Sequence, residues 1–413
     1  MKKYNTYKDS GIQWIGDIPG HWSVRKLFQI ADSYYESNKG MKNKNLLSLS
    51  YGTIIQKDIN KTDGLLPASF ETYQIVKPNI IVLRLTDLQN DQKSLRVGIS
   101  KQEGIVTSAY EAIKVRKPNN ADFIYYQLHA NDIHKVFYGM GNGLRQNLNY
   151  DGMRYMLIVT PPLSEQEEIV SFLNNKTTLI EQYLTLKKKE LLVLQELIES
   201  TIYSSSNDES IIIKSWDNCF PNNEILKSGR SLFEEIIVKG ISDERFLAVT
   251  QDKGLIYKDT DDVNFVTAGQ KETQKLVEPN QFVISLRSFE GGIEFSDKKG
   301  LVSPAYVIFK FREQYDTPLM RTFYRFLFKS SPFVRRLNTI SDSMRDGKSI
   351  KFSDITNFMF PLPSENKLNK IMQIAQVYDL RKEAFYKEKE LLDEYKQRLI
   401  ADVVTGKINV QPN

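Results

Sequence analysis

The chain is poor in the residues that most metal-binding and thiol-based proteins need. In 413 residues there is one cysteine, Cys219, and three histidines, His21, His129 and His134. A lone cysteine excludes an intramolecular disulfide and fits a reducing compartment. So few thiols and imidazoles argue against a structural zinc site, which takes four such ligands. Cys219 reads as a small core residue. His129 and His134 fall in a helical stretch and read as structural or surface residues. No apolar run approaches the ~18 residues of a membrane span, and the opening MKKYNTYKDSG lacks a signal peptide's apolar region. The expectation is a cytoplasmic protein.

Catalytic signatures are also missing. No G-x-G-x-x-G follows a strand. Gly347-Lys348-Ser349 resembles the end of a phosphate-binding loop, but that pattern needs glycine at 342, where Asp342 stands. Asp87 and Asp91 with Lys93 would suit metal-dependent hydrolysis, yet the matching stretch of the second half holds only Ser296-Asp297-Lys298.

Proline and glycine are absent from two stretches, and these organise the chain. One runs from about Ser164 to Tyr203, the other from about Ser364 to Thr405. Pro161-Pro162 precedes the first, Pro361 and Pro363 the second. Each opens Ser-Glu and carries Lys-Glu-Leu-Leu further on, Lys189–Leu192 and Lys389–Leu392, at a constant offset. Proline followed by Ser is a helix entrance, and Glu165, Glu167 and Glu168 suit its first turn. At ~1.5 Å per residue each helix is on the order of 60 Å long. Ile371, Tyr378, Phe385, Leu392 and Leu399 recur every seventh residue, as do Leu184, Leu191 and Ile198; Leu173, Ile180 and Leu194 share another heptad position. That spacing marks a left-handed coiled coil rather than one helix against a globular core, and the simplest partner of each helix is the other. Thr177 and Lys187 interrupt the seams and read as positions that face a partner subunit.

The repeat extends beyond the helices. Leu46–Ser50 matches Phe246–Thr250; Lys77-Pro78-Asn79 before a β-branched run matches Glu278-Pro279-Asn280; Gly104–Tyr110 matches Gly300–Tyr306. Arg145 and Arg345 stand at the same distance before the helix serines. Strands are expected at Leu46–Ser50, Ile80–Leu85, Val106–Val115, Phe246–Thr250, Phe282–Leu286 and Ala305–Phe311, and helices at about Ala121–Phe137 and Pro318–Leu337. The fold class is α+β: two similar mixed α/β domains with two long antiparallel coiled-coil helices, in a pseudo-twofold tandem repeat. The boundaries are 1–160, 161–203, 204–360 and 361–413. Residues 1–163 carry 21 basic against 14 acidic residues, a balance of +7, while 204–363 balance to zero. Within the latter, Arg321, Arg325, Lys329, Arg335, Arg336, Arg345, Lys348 and Lys351 face only Asp342 and Asp346. Such a local surplus suits phosphate oxygens or a solvated helix face. Two similar lobes on a stiff rod suit a polymer with a regular repeat, and duplex DNA is the obvious one.

With the repeat in place, the chain resembles the specificity subunit of Type I restriction-modification systems. The resemblance rests on Tyr7-Lys8-Asp9-Ser10-Gly11-Ile12, Trp14-Ile15-Gly16 and Ile18-Pro19-Gly20-His21-Trp22, on PPLSEQEEIVSFL at the first helix, and on VVTGKINV, Val403–Val410. It implies two target-recognition domains, each reading one half of a bipartite site in double-stranded DNA. It also implies two antiparallel spacer helices that hold the halves apart and dock two modification (methyltransferase) subunits. Restriction (endonuclease/translocase) subunits would complete the assembly, whose role is phage defence. S-adenosylmethionine, ATP and Mg would belong to those partners, with no cofactor, metal or chemistry in this chain. Consistent with that, the only Pro-Pro pair lies between Thr160 and Leu163, not in the Asn- or Asp-Pro-Pro-aromatic motif expected of an adenine methyltransferase.

Base edges are read by Arg, Lys, Asn, Gln, Ser and Thr on loops. In the first domain those are Arg84, Thr86, Gln89, Lys93 and Arg96, from a polar loop between two strands, and Arg145, Gln146 and Asn147 from a Gly-rich loop. In the second they are Arg287, Ser288, Arg345, Lys348 and Lys351. Each could equally be a plain surface residue. The competing reading of the whole chain is a scaffold with two protein-binding domains on a helical rod.

Overall fold

The computed structural model describes the chain apart from residues 1, 60–68, 92–93, 142–146, 204–215, 217–218, 221–223, 240–242, 251–252, 259–271, 285–291, 343–350 and 412–413, and the side chains of 340–342. The chain divides into two units, Met1–Thr185 with Lys387–Asn413, and Leu186–Tyr386.

At the centre of the first unit lies Ile80–Leu83, a β-branched run whose residues are all buried. A strand covered on both faces needs apolar residues at every position rather than alternation. It lies inside a four-stranded antiparallel sheet ordered Ala31–Ser33, Glu111–Val115, Ile80–Leu83, Val97–Ile99. Asn79 enters this strand at φ 69°, and Ile80 N–H donates to the Lys77 carbonyl. Asparagine tolerates this left-handed turn. Around the sheet sit a hairpin, Leu47–Ser50 with Thr53–Gln56, and the pairs Gln74–Val76 with Gly104–Val106 and Ser23–Lys26 with Leu157–Thr160. The stretch expected as one strand, 106–115, is two. A turn closed by Tyr110 N–H on the Thr107 carbonyl separates Gly104–Val106 from Glu111–Val115. The helix Ala121–Ile133 is capped by the Asn120 side chain, which accepts from the N–H groups of Asp122 and Phe123. It stops short of Phe137 because Lys135 turns left-handed at φ 58° and a short 3₁₀ turn follows.

The second unit repeats this plan. Its sheet is ordered Phe233–Glu235, Val307–Phe311, Phe282–Ile284, Glu294–Phe295. Its hairpin is Leu247–Thr250 with Gly254–Tyr257, and Lys275–Val277 pairs with Gly300–Val302. Ile225–Ser228 pairs with Met359–Leu362. Asn280 repeats the left-handed turn at φ 70°, and the parallel bridge Phe246–Leu301 repeats Leu46–Ile105. The helical stretch expected as one is two, Pro318–Leu327 and Ser331–Asp342. Pro332 lacks the N–H that a continuous helix would use. The core is packed with phenylalanine: Phe233, Phe282, Phe309, Phe311 and Phe328 lie at ring separations of 4.9–5.9 Å, mostly edge to face. Cys219 is buried there, its thiol on the Trp216 carbonyl.

The long helices are Leu163–Tyr203 and Glu365–Val404, 41 and 40 residues. Each contributes one half to each unit. In the first unit Glu181 pairs with Lys396 (2.9 Å), and Tyr183 donates to Glu388 (2.9 Å). In the second, Arg381 pairs with Glu190. Partners whose numbers move in opposite senses mean antiparallel helices. The heptad residues Ile371, Tyr378, Phe385, Leu392 and Leu399 all turn inward. Thr177 and Lys187 are a correction: both are half-buried and lie on the inward seam with Leu173, Ile180, Leu184 and Leu191. Thr177 satisfies its hydroxyl on the Asn174 carbonyl. No described helix is long and apolar enough to cross a membrane.

The chain ends meet in the first unit. The Tyr7 phenol donates to the Gly406 carbonyl (3.3 Å), and Lys2 bridges to Asn409. Glu165, at the helix entrance, is 2% exposed; it accepts from the Tyr4 phenol and bonds His21 Nε2 (2.8 Å). The three quoted motifs are therefore one packed cluster around the end of the second helix.

Candidate nucleic-acid interface

A polar surface lies on the loop from Arg84 to Arg96, described apart from residues 92–93, between two buried strands of the first sheet. A loop this long needs internal partners for its backbone groups. Arg96 supplies them. Its Nη1 donates to the carbonyls of Arg84 (3.1 Å) and Thr86 (2.8 Å), its Nη2 to those of Asp87 (3.4 Å) and Asp91, and its Nε to the Tyr138 phenol (2.9 Å). Its backbone N–H donates to Asp132 Oδ2. Arg96 is 0% exposed. This corrects its assignment as a base-reading residue: the guanidinium is committed to holding the loop from within.

What the loop presents is Arg84, Thr86 and Gln89. Arg84 is partly exposed and stands 3.8 Å from Asp91. Gln89 is exposed, and Thr86 half-buried. Asp87 takes a left-handed φ of 56°, and its N–H donates to Asn147 Oδ1 (2.8 Å). Leu148 N–H reaches the Leu85 carbonyl in the same way. Asn147 is thus brought to the loop and ties the Gly-rich segment to it. Lys93, Arg145, Gln146, Arg287, Ser288, Arg345 and Lys348 lie outside the described residues. Lys351 is exposed and opens the short helix Phe352–Thr356, where its N–H donates to Asp354 Oδ2 (2.8 Å).

Two supporting residues were not singled out from the sequence. Asp132 is fully buried, and burial pushes its carboxyl up to about 6. Tyr138 accepts from Arg96 and donates to the Asp91 carbonyl (3.2 Å). A buried acid near a helix end was the only available signal, and it has no meaning until the loop is folded against it. The three histidines have structural surroundings. His129 is buried and held down to about 4 by that burial, and His134 stacks on Trp14 at 4.3 Å.

The second unit ties the same place differently. By register Gly292 stands where Arg96 does, and Lys329 on the helical side pairs with Glu294 on the strand. In the first unit the helix acid Asp132 accepts from a backbone N–H, whereas here a lysine just past the helix Pro318–Leu327 pairs with a carboxylate on the strand. Gly292 is required, since its φ is 79° and a Cβ would come 2.1 Å from the Phe328 carbonyl oxygen.

The first long helix carries a second feature. In the second unit Leu186, Val193 and Leu197 are 46–67% exposed, at heptad spacing, on a side away from the filled seam. In the second long helix Val377, Leu380 and Leu391 are exposed likewise.

No family model matches the chain, and no curated protein matches it. Solved structures do. One, from work on complex assembly and conformational transition of the type I R-M system, is 11% identical, covers 95% of this chain and 99% of its own, and superposes with a TM-score of 0.51. The Type-I restriction-modification S subunit from M. genitalium is 13% identical over 98% of both chains, with a TM-score of 0.45. The HsdS subunit from Thermoanaerobacter tengcongensis is 11% identical over 95% of this chain and 98% of its own, with a TM-score of 0.36. With its repeated sheet order and its pair of long antiparallel helices, the chain shares the fold of the first of these, from the work on the type I R-M system.

Proposed function

We propose that the chain is the DNA-specificity subunit of a Type I restriction-modification complex, each repeat reading one half of a bipartite duplex site. The observation that carries this is the duplicated sheet, whose two copies share one strand order while the sequences that follow Leu83 and Ile284 differ. Equal scaffolds with unequal loops suit two related but different ligands. The first loop is stiffened from inside by Arg96, leaving Arg84, Thr86 and Gln89 at its surface with Asn147 beside them. The basic balance of residues 1–163 favours a polyanion.

In this reading the long helices dock two modification subunits. The exposed heptad stripe of the first helix supports that role, because exposed apolar stripes mark protein contacts. The reaction, with S-adenosylmethionine, ATP and Mg, belongs to those partners and to the restriction subunits. The competing reading, a scaffold binding only proteins, predicts no DNA affinity.

Two experiments decide. A salt-dependent shift of duplex DNA by the chain with its modification subunits supports the DNA reading, and no shift refutes it. Exchange of residues 1–160 with those of a relative changes one half of the methylated motif, read by modification-sensitive sequencing; a change in both halves refutes the modular reading. Arg345→Ala is expected to weaken binding, and unchanged affinity removes that residue from the interface.

A further inference from the structure

Beside the Arg84–Arg96 loop, the hairpin Leu47–Ser50 with Thr53–Gln56 ends in a two-residue turn, Tyr51-Gly52. Both turn residues are left-handed, at φ 46° and 81°. This geometry favours Asn or Asp followed by Gly. Gly52 obeys the rule, and the packing also demands it: a Cβ there would come 3.2 Å from Leu95 Cβ and 3.3 Å from His129 Cε1. Tyr51 breaks the rule. A bulky residue at positive φ is strained, and Tyr51 gains little burial in return, since it is 75% exposed.

The turn itself is held in place. Gly52 rests on Leu95, a member of the reading loop, and the Tyr125 phenol donates to the Gly52 carbonyl (3.4 Å). An aromatic ring is therefore kept in solvent, on a strained backbone, at a tip packed on Leu95 of the Arg84–Arg96 loop and on His129 and Tyr125 of the neighbouring helix. Folding does not explain its presence there.

We infer that Tyr51 is a DNA-contact residue, packing its ring on the sugars and base edges of the duplex half-site bound by the first repeat. The inference rests on the DNA-reading role proposed above and adds an apolar wedge to the hydrogen-bonding groups of the loop. Rings that press on bases give affinity with little dependence on salt, unlike phosphate contacts.

The test uses the full chain with its modification subunits and a fluorescent duplex carrying the motif found by modification-sensitive sequencing. Tyr51→Asn suits the turn, so its melting temperature stays equal to the parent's or rises. Its DNA affinity falls about tenfold with the salt slope unchanged, as loss of an apolar ring contact predicts. Tyr51→Phe keeps affinity within about twofold. Unchanged affinity in Tyr51→Asn, while the parent binds, overturns this assignment and leaves the DNA reading standing. A lower melting temperature for Tyr51→Asn assigns Tyr51 a folding role and overturns it too. Loss of modification-subunit association with DNA affinity intact makes Tyr51 a protein contact and overturns it. A parent complex that binds no duplex refutes both readings.

Discussion

Arg96 Nη1 donates to the carbonyl of Thr86 at 2.8 Å. An arginine that the sequence offers as a reader of bases is instead the internal brace of its own loop. Its substitution acts on stability first. Arg96→Ala leaves the carbonyls of Arg84, Thr86 and Asp91 without that donor in a buried place, at a cost of roughly 3 kcal/mol. Calorimetry should show a clear fall in melting temperature, whereas Gln89→Ala, on the exposed side, should leave the stability within about 0.5 kcal/mol of the parent's. Equal melting temperatures for Arg96→Ala and the parent would contradict the bracing role.

Gly406 closes the first unit. Its φ is 75°, and a Cβ would meet Pro19 Cδ at 2.3 Å and Trp22 at 3.2 Å. Strain and overlap act together in Gly406→Ala, and the expected loss is about 3 kcal/mol. Limited proteolysis should find the N-terminal hairpin, Tyr7–Asp9 with Asp17–Pro19, cut faster in this variant. An unchanged cleavage rate would mean the ends are not fastened through Gly406.

Two groups on one helix make the first unit's pH dependence a balance. Burial lowers His129 from 6.5 to about 4, so the unfolded chain binds more protons between those values, and this contribution to stability is lost as pH falls through that window. Burial raises Asp132 from 3.8 to about 6, so the folded chain binds more protons between those values, and stability grows as pH falls through about 6. The two oppose each other between pH 6 and 4. Asp132→Asn removes the second alone. Its melting temperature should therefore drop more steeply than the parent's between pH 7 and pH 5, and parallel curves would show that Asp132 does not titrate there.

The exposed stripe on the first long helix gives a test independent of DNA. Val193→Asp with Leu197→Asp alters residues 54% and 46% exposed, so the stability should change by less than about 1 kcal/mol. Co-purification of modification subunits should fall sharply. Retained co-purification would place docking elsewhere.

Much of this architecture is written in the chain itself. The helices Leu163–Tyr203 and Glu365–Val404 follow from proline entrances, seven-residue spacing and the absence of proline and glycine, all of which are local properties. The repeat needs only comparison of one half with the other, and the left-handed Asn79 and Asn280 keep its register. Tertiary structure decided what local pattern cannot express. Arg84 and Arg96 belong to one polar loop and look alike, but only packing of that loop against Asp132 and Tyr138 buries one and leaves the other at the surface. Thr177 and Lys187 look like breaks in a seam until the facing helix is present, when they prove to lie on it. Helical and strand periodicity follow from neighbours in sequence, whereas burial of a polar side chain depends on partners brought from far along the chain, and those partners set its role.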